Sequence, residues 1–403
     1  MRHYLTSTLS YWAFTLTDGA LRMLVVLHFH QLGYAPLAIA MLFLFYELFG
    51  LITNLAGGLL AARIGLAHTQ TVGLLLQLFG LGLLLLPTLS LPLVMSAQAC
   101  SGIAKDLTKL SAKSAVKYAV REGADDRLYR AVAWLTGSKN LLKGAGFFLG
   151  GVLLTALAFN GAVLALMGLL ILPLLAGFWG FDPSLGRTAF KPRFSQLLSK
   201  SPRINWLSAA RCALFGARDV WFVVAVPVYL QAVLGWSSTA VGSLLALWVI
   251  GYGVVQMLAP WLTGSARGSA PSARSSVLWG APLIGVPALL ALLLPADAVA
   301  SGNAGATLVA GLLIFGALFA VNSAIHSYLI VRYADRDGVS LDVGFYYMSN
   351  ALGRLIGTVL SGGIYQWWGL PACLYTSAVL LFLATLASNR LSHLDASAAQ
   401  PSR

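Results

Sequence analysis

The chain has 403 residues, of which 58% are hydrophobic and only 10% charged, and its mean hydropathy is +0.80. These values exclude a water-soluble domain and predict an all-α membrane protein, because a helix satisfies its own backbone hydrogen bonds in lipid. The net charge of +13 would suggest nucleic acid as the partner of a soluble protein. In a membrane protein, the distribution of that charge has to be considered first.

Twelve apolar segments are long enough to cross a hydrocarbon core of about 30 Å. Numbered here as spans 1 to 12, they cover about 8–31, 37–61, 69–87, 92–117, 131–158, 161–181, 205–231, 237–263, 277–295, 304–332, 343–367 and 370–389. Asp18 and Arg22 interrupt the first segment and no small-residue cleavage site follows it, so we predict that it stays in the mature protein.

The basic residues between the spans fall on alternate sides of the predicted membrane. With the N-terminus in the cytoplasm, all of them lie on the cytoplasmic side and none on the other. This asymmetry obeys the positive-inside rule and places both termini in the cytoplasm. We therefore expect a multi-pass protein of the cell inner membrane, with lipid rather than nucleic acid around it.

A basic, Pro-interrupted stretch at 182–204 separates spans 1 to 6 from spans 7 to 12. It predicts an N-terminal six-helix bundle at 1–181, a cytoplasmic interdomain linker at 182–204 and a C-terminal six-helix bundle at 205–403. Shifting the chain by 211 positions aligns SKNLLKGAGFFLGG (138–151) with SNALGRLIGTVLSG (349–362). Lys143 then matches Arg354 and Gly146 matches Gly357, as expected of a parallel repeat.

Twelve spans, the division into two sets of six, the central loop and the parallel repeat together resemble the major facilitator superfamily. The loop signature of that family between spans 2 and 3 is present in degraded form as GLLAARIGLAHT (58–69), in which Ala62 occupies the acidic position. The resemblance implies a major facilitator fold with both termini in the cytoplasm. The missing acid casts doubt on the usual charge latch at that loop.

Charged residues within the spans are the most informative feature of the chain. The bases number nine and the acids four: Arg22, Lys105, Lys109, Lys113, Lys139, Lys143, Arg211, Arg218 and Arg354, against Asp18, Glu47, Asp106 and Asp219. Burying nine such bases in lipid would cost roughly 25 kcal/mol in total. They occur on spans 1, 2, 4, 5, 7 and 11, which in the facilitator fold line or flank the central cavity.

Spacing places several of these charges on common helical faces. We expect Asp18 to pair with Arg22, Asp106 with Lys109, and Asp219 with a base on another helix. Four acids cannot neutralise nine bases, so the pattern predicts a cavity with excess positive charge. Such a cavity suits an anion with two or three charges, because arginine offers a bidentate fork to phosphate oxygens and lysine a compact charge.

The candidate substrate-binding residues are Arg22, Lys105, Lys109, Lys139, Lys143, Arg218 and Arg354, with Asp106 and Asp219 as charge-pairing residues. Among them, Lys143 and Arg354 are repeat-equivalent and predict a two-sided clamp. Proton coupling requires an acid that can lose and regain a proton. Glu47 is the first candidate because it has no basic neighbour on its own helix and burial would raise its pKa, and Asp18 is the second.

Other polar residues within the spans are weaker signals. Asn54, Gln98, Asn140, Asn322, Ser323 and Tyr347 are expected to be ordinary interhelical contacts, and His326 a satisfied buried histidine rather than a proton carrier. Cys100, Cys212 and Cys373 lie on three different spans, which indicates neither disulfides nor a metal site. We predict no metal and no cofactor.

Three stretches show a closer likeness: YWAFTLTDGALRMLVVLHFH (11–30), SGIAKDLTKLSAKSAVK (101–117) and GSKNLLKGAGFFLGG (137–151). They resemble the ArsJ-type organoarsenical efflux permeases, and LFGARDVWFVV (214–224) extends the likeness into the second half. The resemblance implies export of 1-arseno-3-phosphoglycerate, arsenate resistance, and a functional link to the glyceraldehyde-3-phosphate dehydrogenase that makes this compound. The carboxylate, phosphate and arsenate ester of this substrate match the excess positive charge.

Two alternatives remain at this stage. An importer or exchanger of organophosphates would carry the same charges, because phosphate and arsenate esters are nearly isosteric. A non-transporting membrane sensor would need an output domain, which the short predicted loops and tails do not provide. An enzyme is not expected, since no nucleophile and base pair, metal cluster or cofactor loop is present. We expect a monomeric transporter of an anionic small molecule.

Overall fold

The computed structural model describes residues 2–34, 42–180, 184–188, 201–265, 270–294 and 303–399. The regular structure in these ranges is helical throughout. The first four helices are α1 (Arg2–Gln31), α2 (Leu44–Ile64), α3 (Leu66–Leu83) and α4 (Leu91–Ala119). A continuous stretch, Asp125–Gly180, is broken at Ala158 into α5 (125–157) and α6 (159–180).

The second half of the chain has the same pattern of helices. It contains α7 (Pro202–Phe222), a short helix (Ala225–Val228) with a π-helical turn (Tyr229–Val233), α8 (Ser238–Leu262), α9 (Ala273–Leu293) and α10 (Ala304–Tyr333). The last stretch, Val339–Ala399, is broken at Gly369 into α11 (339–368) and α12 (370–399).

Helix lengths and composition support the predicted multi-pass arrangement. Eight helical stretches are long and apolar enough to cross a membrane, and two of these contain the breaks at Ala158 and Gly369, so each comprises two helices. The helices α1 and α4 are equally long but carry more charge. The chain is a multi-pass membrane protein. The start of predicted span 2, at 37–41, lies outside the described residues.

The two helix breaks occur at equivalent positions of the repeat. Ala158 has φ 54° and ψ −177°, and Gly369, 211 positions later, has φ 72° and ψ −172°. This conformation lies in the region that glycine adopts readily and other residues rarely. The common backbone geometry supports the repeat that the sequence alignment predicted from other residues.

The chain groups into two compact units. Unit 1 comprises Met1–Ala124, Ser138–Leu198 and Ala334–Met348, and unit 2 comprises Asp125–Gly137, Ser199–Tyr333 and Ser349–Arg403. The start of α5 therefore packs with the helices of unit 2, and the start of α11 with those of unit 1. Glycines permit both contacts, because a side chain on Gly137 would meet the Gly253 carbonyl and one on Gly58 would meet the Ser340 carbonyl.

In unit 1, α1 and α5 cross at glycines. A Cβ on Gly19 would lie 2.7 Å from the Lys143 carbonyl oxygen, and one on Gly146 would lie 2.5 Å from the Leu16 carbonyl oxygen. The side chain of Trp12 also donates to Ser138 Oγ at 2.9 Å. Small residues at such a crossing let the two backbones approach within van der Waals contact.

In unit 2, α7 and α11 cross in the same manner. A Cβ on Gly357 would lie 2.5 Å from the Gly216 carbonyl oxygen and 3.0 Å from the Gly216 Cα. Gly357 is the repeat equivalent of Gly146, and a Cβ on Gly146 would lie at a similar distance, 3.1 Å, from the Gly19 Cα. Each unit thus uses a glycine crossing to position the helix that carries Lys143 or Arg354.

Candidate functional site

Most of the charged residues that the sequence singled out in α1, α2 and α4 form one group in unit 1. We call it the Tyr46 cluster, and it consists of Asp18, Arg22, Tyr46, Glu47, Asn54, Lys105, Asp106 and Lys109. It contains three bases and three acids and is therefore balanced in formal charge. Unit 2 contains a second group, the Asp219 cluster, formed by Arg218, Asp219 and Arg354.

Tyr46 lies at the centre of the first cluster. Its hydroxyl donates to the Asp18 carboxylate, with both oxygens at 2.8 Å. The aromatic ring lies 4.6 Å from the Arg22 guanidinium carbon and 3.9 Å from Lys105 Nζ. Cations at these distances from a ring centroid are attracted by its negative face, so Tyr46 positions two bases and one acid together.

Glu47, next to Tyr46, bridges the same two bases. Its carboxylate lies 3.4 Å from Arg22 Nη2 and 4.0 Å from Lys105 Nζ. The Glu47 side chain keeps 46% of its surface exposed, compared with 27% for Arg22 and 21% for Lys105. This triad is therefore the accessible part of the cluster.

Asp106 and Lys109 form its buried part. They pair directly, as the sequence predicted, and Lys109 Nζ also donates to Asn54 Oδ1 at 2.7 Å. Lys109 Nζ lies 4.6 Å from the ring centroid of Tyr347 on α11. Lys109 thus connects α4 with α2 and with the start of α11 inside unit 1.

Two glycines allow α2 and α4 to pack closely at this point. A Cβ on Gly50 would lie 2.6 Å from Asp106 Oδ2, and one on Gly102 would overlap the backbone of Tyr46. Without these glycines, α2 and α4 would separate and the contacts of Tyr46 and Asp106 would lengthen. The sequence shows these glycines, but it does not show which residues of the neighbouring helix they contact.

The Asp219 cluster has a single carboxylate between two guanidinium groups. Arg218 Nε donates to Asp219 Oδ1 at 2.6 Å, and Arg218 Nη2 forms an ion pair with the same oxygen at 2.6 Å. Arg354 Nε donates to Asp219 Oδ2 at 3.2 Å. Asp219 is fully buried, whereas the Arg354 side chain keeps 40% of its surface exposed. The prediction that Asp219 pairs with a base on another helix is confirmed.

Arg211, one of the nine bases, lies deeper in unit 2 and binds neutral groups. It donates to Asn350 Oδ1 at 2.9 Å and to the Ser323 hydroxyl at 2.9 Å. Its guanidinium carbon lies 4.0 Å from the ring centroid of Phe215, and that of Arg218 lies 4.8 Å from the same ring. These contacts connect α7 with α10 and α11.

Lys139 and Lys143 are half-buried on α5, at the crossing with α1. The backbone of Lys143 contacts Gly19, the neighbour of Asp18. The structure therefore brings α5 against the helix that carries Asp18 and Arg22. Whether these two lysines bind substrate remains a prediction.

Three of the four acids are more buried than the bases around them. The Asp18, Asp106 and Asp219 side chains are buried, whereas Arg22, Lys105, Lys109, Arg218 and Arg354 all keep accessible surface. The Asp219 cluster therefore exposes only cationic groups, and the Tyr46 cluster exposes Glu47 beside its bases. An anion approaching either cluster meets cationic groups, with Glu47 as the exposed acid in the Tyr46 cluster.

Three expectations were wrong. Asp18 binds Tyr46 and not Arg22, which instead lies beside Glu47, because α2 brings both a hydroxyl and a carboxylate to α1. Glu47 is exposed rather than buried. His326 is buried, but within the part of the chain that the structure describes neither ring nitrogen has a hydrogen-bond partner.

Sequence reasoning also missed two aromatic residues, Tyr46 and Phe215, against which the bases pack. A signal was available in the chain order, because Tyr46 precedes Glu47 and Phe215 lies between Arg211 and Arg218. The described residues contain no group of three or more His, Cys, Asp and Glu side chains that could hold a metal.

Comparison with known proteins completes the description of the fold. Residues 207–397 match the family model of the Major Facilitator Superfamily. A crystal structure of the human organic anion transporter MFSD10 (TETRAN) superposes with a TM-score of 0.74 at 15% identity, covering 96% of this chain and 99% of that chain. The chain has the major facilitator fold.

Other proteins with the major facilitator fold are equally similar. A bacterial homologue of the iron transporter ferroportin, in an outward-facing state, gives a TM-score of 0.73 at 13% identity, covering 98% of this chain and 100% of that chain. The fucose:proton symporter FucP (N162A) of E. coli gives 0.73 at 13% identity, covering 96% and 98%. No curated protein matches the sequence.

Proposed function

We propose that the chain is a secondary active transporter that exports a multiply charged organic anion by alternating access, and that this anion is 1-arseno-3-phosphoglycerate. Export would confer arsenate resistance, because breakdown of the compound outside the cell releases arsenate there. The proposal places the protein in the cell inner membrane with both termini in the cytoplasm. It links the transporter to the glyceraldehyde-3-phosphate dehydrogenase that makes the substrate.

One observation carries the proposal: bases outnumber acids nine to four within the spans, and three of the four acids are buried while Arg22, Lys105, Lys109, Arg218 and Arg354 keep accessible surface. Charged groups in membrane helices are costly and usually serve a function. A phosphate or arsenate ester provides the oxygen acceptors that arginine and lysine side chains need.

The fold alone does not select the substrate. The similar structures include an organic anion transporter, a fucose:proton symporter and a homologue of an iron transporter. A fold shared by carriers of such different ligands indicates transport in general, and the ligand has to be argued from the side chains. Here the partly exposed arginines and lysines favour an anion.

The proposed substrate-binding residues are those of the sequence analysis: Arg22, Lys105, Lys109, Lys139, Lys143, Arg218 and Arg354. Asp106 and Asp219 hold four of these bases in place. Glu47 and Asp18 are the proposed proton-coupling acids, and both lie next to bases or to Tyr46 in unit 1. A proton arriving at either acid would change the charge of the Tyr46 cluster directly.

The two repeat-equivalent bases, Lys143 and Arg354, give the most direct mutational test. We expect Lys143→Gln and Arg354→Gln each to abolish transport while membrane expression remains normal, because each removes one repeat-equivalent cation and keeps a polar side chain. Transport is measured as uptake of labelled 3-phosphoglycerate into inverted vesicles, with Arg130→Gln, an exposed base at the start of α5, as the control. Retained transport in either variant would remove that residue from the site.

The function itself is tested in cells that lack other arsenic defences. We expect the gene to confer arsenate resistance only when a glyceraldehyde-3-phosphate dehydrogenase is also supplied. Resistance without the dehydrogenase would indicate that the substrate is not its product. Uptake of ordinary organophosphates by whole cells, with no gain of resistance, would favour the importer.

A further inference from the structure

We propose that Arg22 and Lys105 form a subsite for a phosphate or arsenate oxyanion, and that Glu47 fills this subsite in the substrate-free carrier as a displaceable internal anion. The inference rests on the proposed function and adds the group that the substrate must displace. Glu47 would then set how tightly the anion binds and how quickly it leaves.

The geometry of the triad supports the subsite. The two oxygens of the Glu47 carboxylate contact different bases, Oε1 with Arg22 and Oε2 with Lys105. A phosphate or arsenate group presents neighbouring oxygens at similar spacing, so it can replace both contacts at once. Tyr46 lies within cation–π distance of both bases and would keep them in place when the carboxylate leaves.

The contacts of Glu47 are those of a replaceable anion. Charge-assisted N–H···O hydrogen bonds are typically about 2.7–2.9 Å long, whereas the contacts of Glu47 with Arg22 and Lys105 measure 3.4 Å and 4.0 Å. Asp219, by contrast, holds Arg218 at 2.6 Å in a fully buried position. The long contacts of Glu47 with Arg22 and Lys105 and its 46% exposure make Glu47 the carboxylate of the cluster that is easiest to displace.

The neighbouring acid would stay in place during the exchange. Asp106 lies 3.8 Å from Lys105 and is also paired with Lys109. Its burial and its second partner prevent its replacement. Lys105 therefore keeps one carboxylate neighbour throughout, and the incoming oxyanion replaces only the one supplied by Glu47.

An internal anion lowers the affinity for substrate and speeds its release, because the displaced carboxylate repels the bound ligand and competes for its bases. We therefore expect Glu47→Gln to bind substrate more tightly and release it more slowly. The substrate no longer has to displace the ion pairs of Glu47 with Arg22 and Lys105. Because these two partly exposed pairs are each weak, we expect their loss to raise the affinity for substrate only about tenfold.

The test measures equilibrium binding of 3-phosphoglycerate, a stable probe with a carboxylate and a phosphate, to the purified full-length chain in nanodiscs. No proton gradient is present, so any role of Glu47 in coupling does not enter. Glu47→Gln should lower the dissociation constant about tenfold and slow dissociation. The matched control is Glu122→Gln, which removes the same charge from the α4–α5 turn, where Glu122 pairs with Arg336; its affinity should equal that of the native chain.

A double variant isolates the interaction. Replacing Lys105 by Gln in the Glu47→Gln background should cancel the gain, because the subsite then lacks one of its bases. Affinity that is unchanged or weaker in Glu47→Gln would overturn the proposal. A gain of equal size in Glu122→Gln would also overturn it, since the cause would then be net charge.

Failure of the proposed function is distinguishable from failure of the subsite. If 3-phosphoglycerate binds neither the native chain nor Glu47→Gln, the organophosphate assignment is wrong. Thermal stability would then be measured with inorganic arsenate and sulfate. Greater stabilisation of Glu47→Gln than of the native chain would support the subsite, and equal behaviour with every oxyanion would overturn it.

Discussion

Asp219→Asn is the substitution for which the structure predicts the largest loss of stability. Asparagine has nearly the same shape as aspartate but no charge, so packing is preserved while the counter-charge of two guanidinium groups is removed. Arg218 donates a hydrogen bond to one Asp219 oxygen through Nε and forms an ion pair with the same oxygen through Nη2, and Arg354 donates a hydrogen bond to the other oxygen. The substitution also turns one acceptor of Asp219 into a donor that faces a guanidinium group.

The magnitude follows from burial. Breaking a buried ion pair by removing one partner costs about 3–5 kcal/mol, because the other charge remains uncompensated. Arg218 is 15% exposed and Arg354 is 40% exposed, so solvent screens most of the Arg354 contribution. We therefore expect a loss of about 3 kcal/mol, nearly all of it from Arg218, and a melting temperature lower by roughly 3–4 °C.

The assay is thermal unfolding of the purified chain in detergent, followed by intrinsic tryptophan fluorescence. Asp219→Asn combined with Arg218→Leu should recover part of the lost stability, since the second change removes the uncompensated charge. Asp335→Asn, at an exposed position after α10, serves as the control. A melting temperature of Asp219→Asn within about 1 °C of the native value would refute the reasoning, because a shift that small corresponds to about 1 kcal/mol at most.

Two further predictions concern backbone geometry. Ala158→Gly should raise the free energy of unfolding by about 1 kcal/mol and Gly369→Ala should lower it by a similar amount, because both residues have positive φ; thermal unfolding of both variants checks the signs, and opposite signs would contradict the strain argument. Gly50→Ala should cost about 1–3 kcal/mol, because its Cβ would lie 2.6 Å from Asp106 Oδ2. Gly82→Ala, which meets nothing within 4 Å, is the matched control, and equal losses in the two variants would contradict the packing argument.

The helical architecture could be predicted from the sequence because the signal for each span is local. Membrane helices satisfy their backbone within one segment, so hydropathy over about twenty residues is enough to find them. The helix from Ala304 to Tyr333 coincides with its predicted span to within one residue. The repeat was also predictable, since Gly146 and Gly357 are both needed at helix crossings.

The pairing of charges could not be predicted in the same way. Spacing along one helix suggested that Asp18 binds Arg22, four residues later, but α2 brings Tyr46 and Glu47 to α1 and supplies both with other partners. The rotation of each helix about its axis and its depth in the membrane decide such contacts. Neither can be predicted from the sequence of a single helix. Asp106 with Lys109 was correct because both lie on the same face of α4.

The two clusters differ in what a bound anion can gain from them. In the Tyr46 cluster the acids equal the bases, so an anion binds there by exchange with Glu47 rather than by meeting an excess of charge. In the Asp219 cluster one buried carboxylate serves two arginines, so an anion adds to an existing positive charge. Binding by exchange keeps the net gain in free energy at the Tyr46 cluster small. A carrier benefits from that arrangement, because a substrate that is bound too tightly would leave too slowly to be transported.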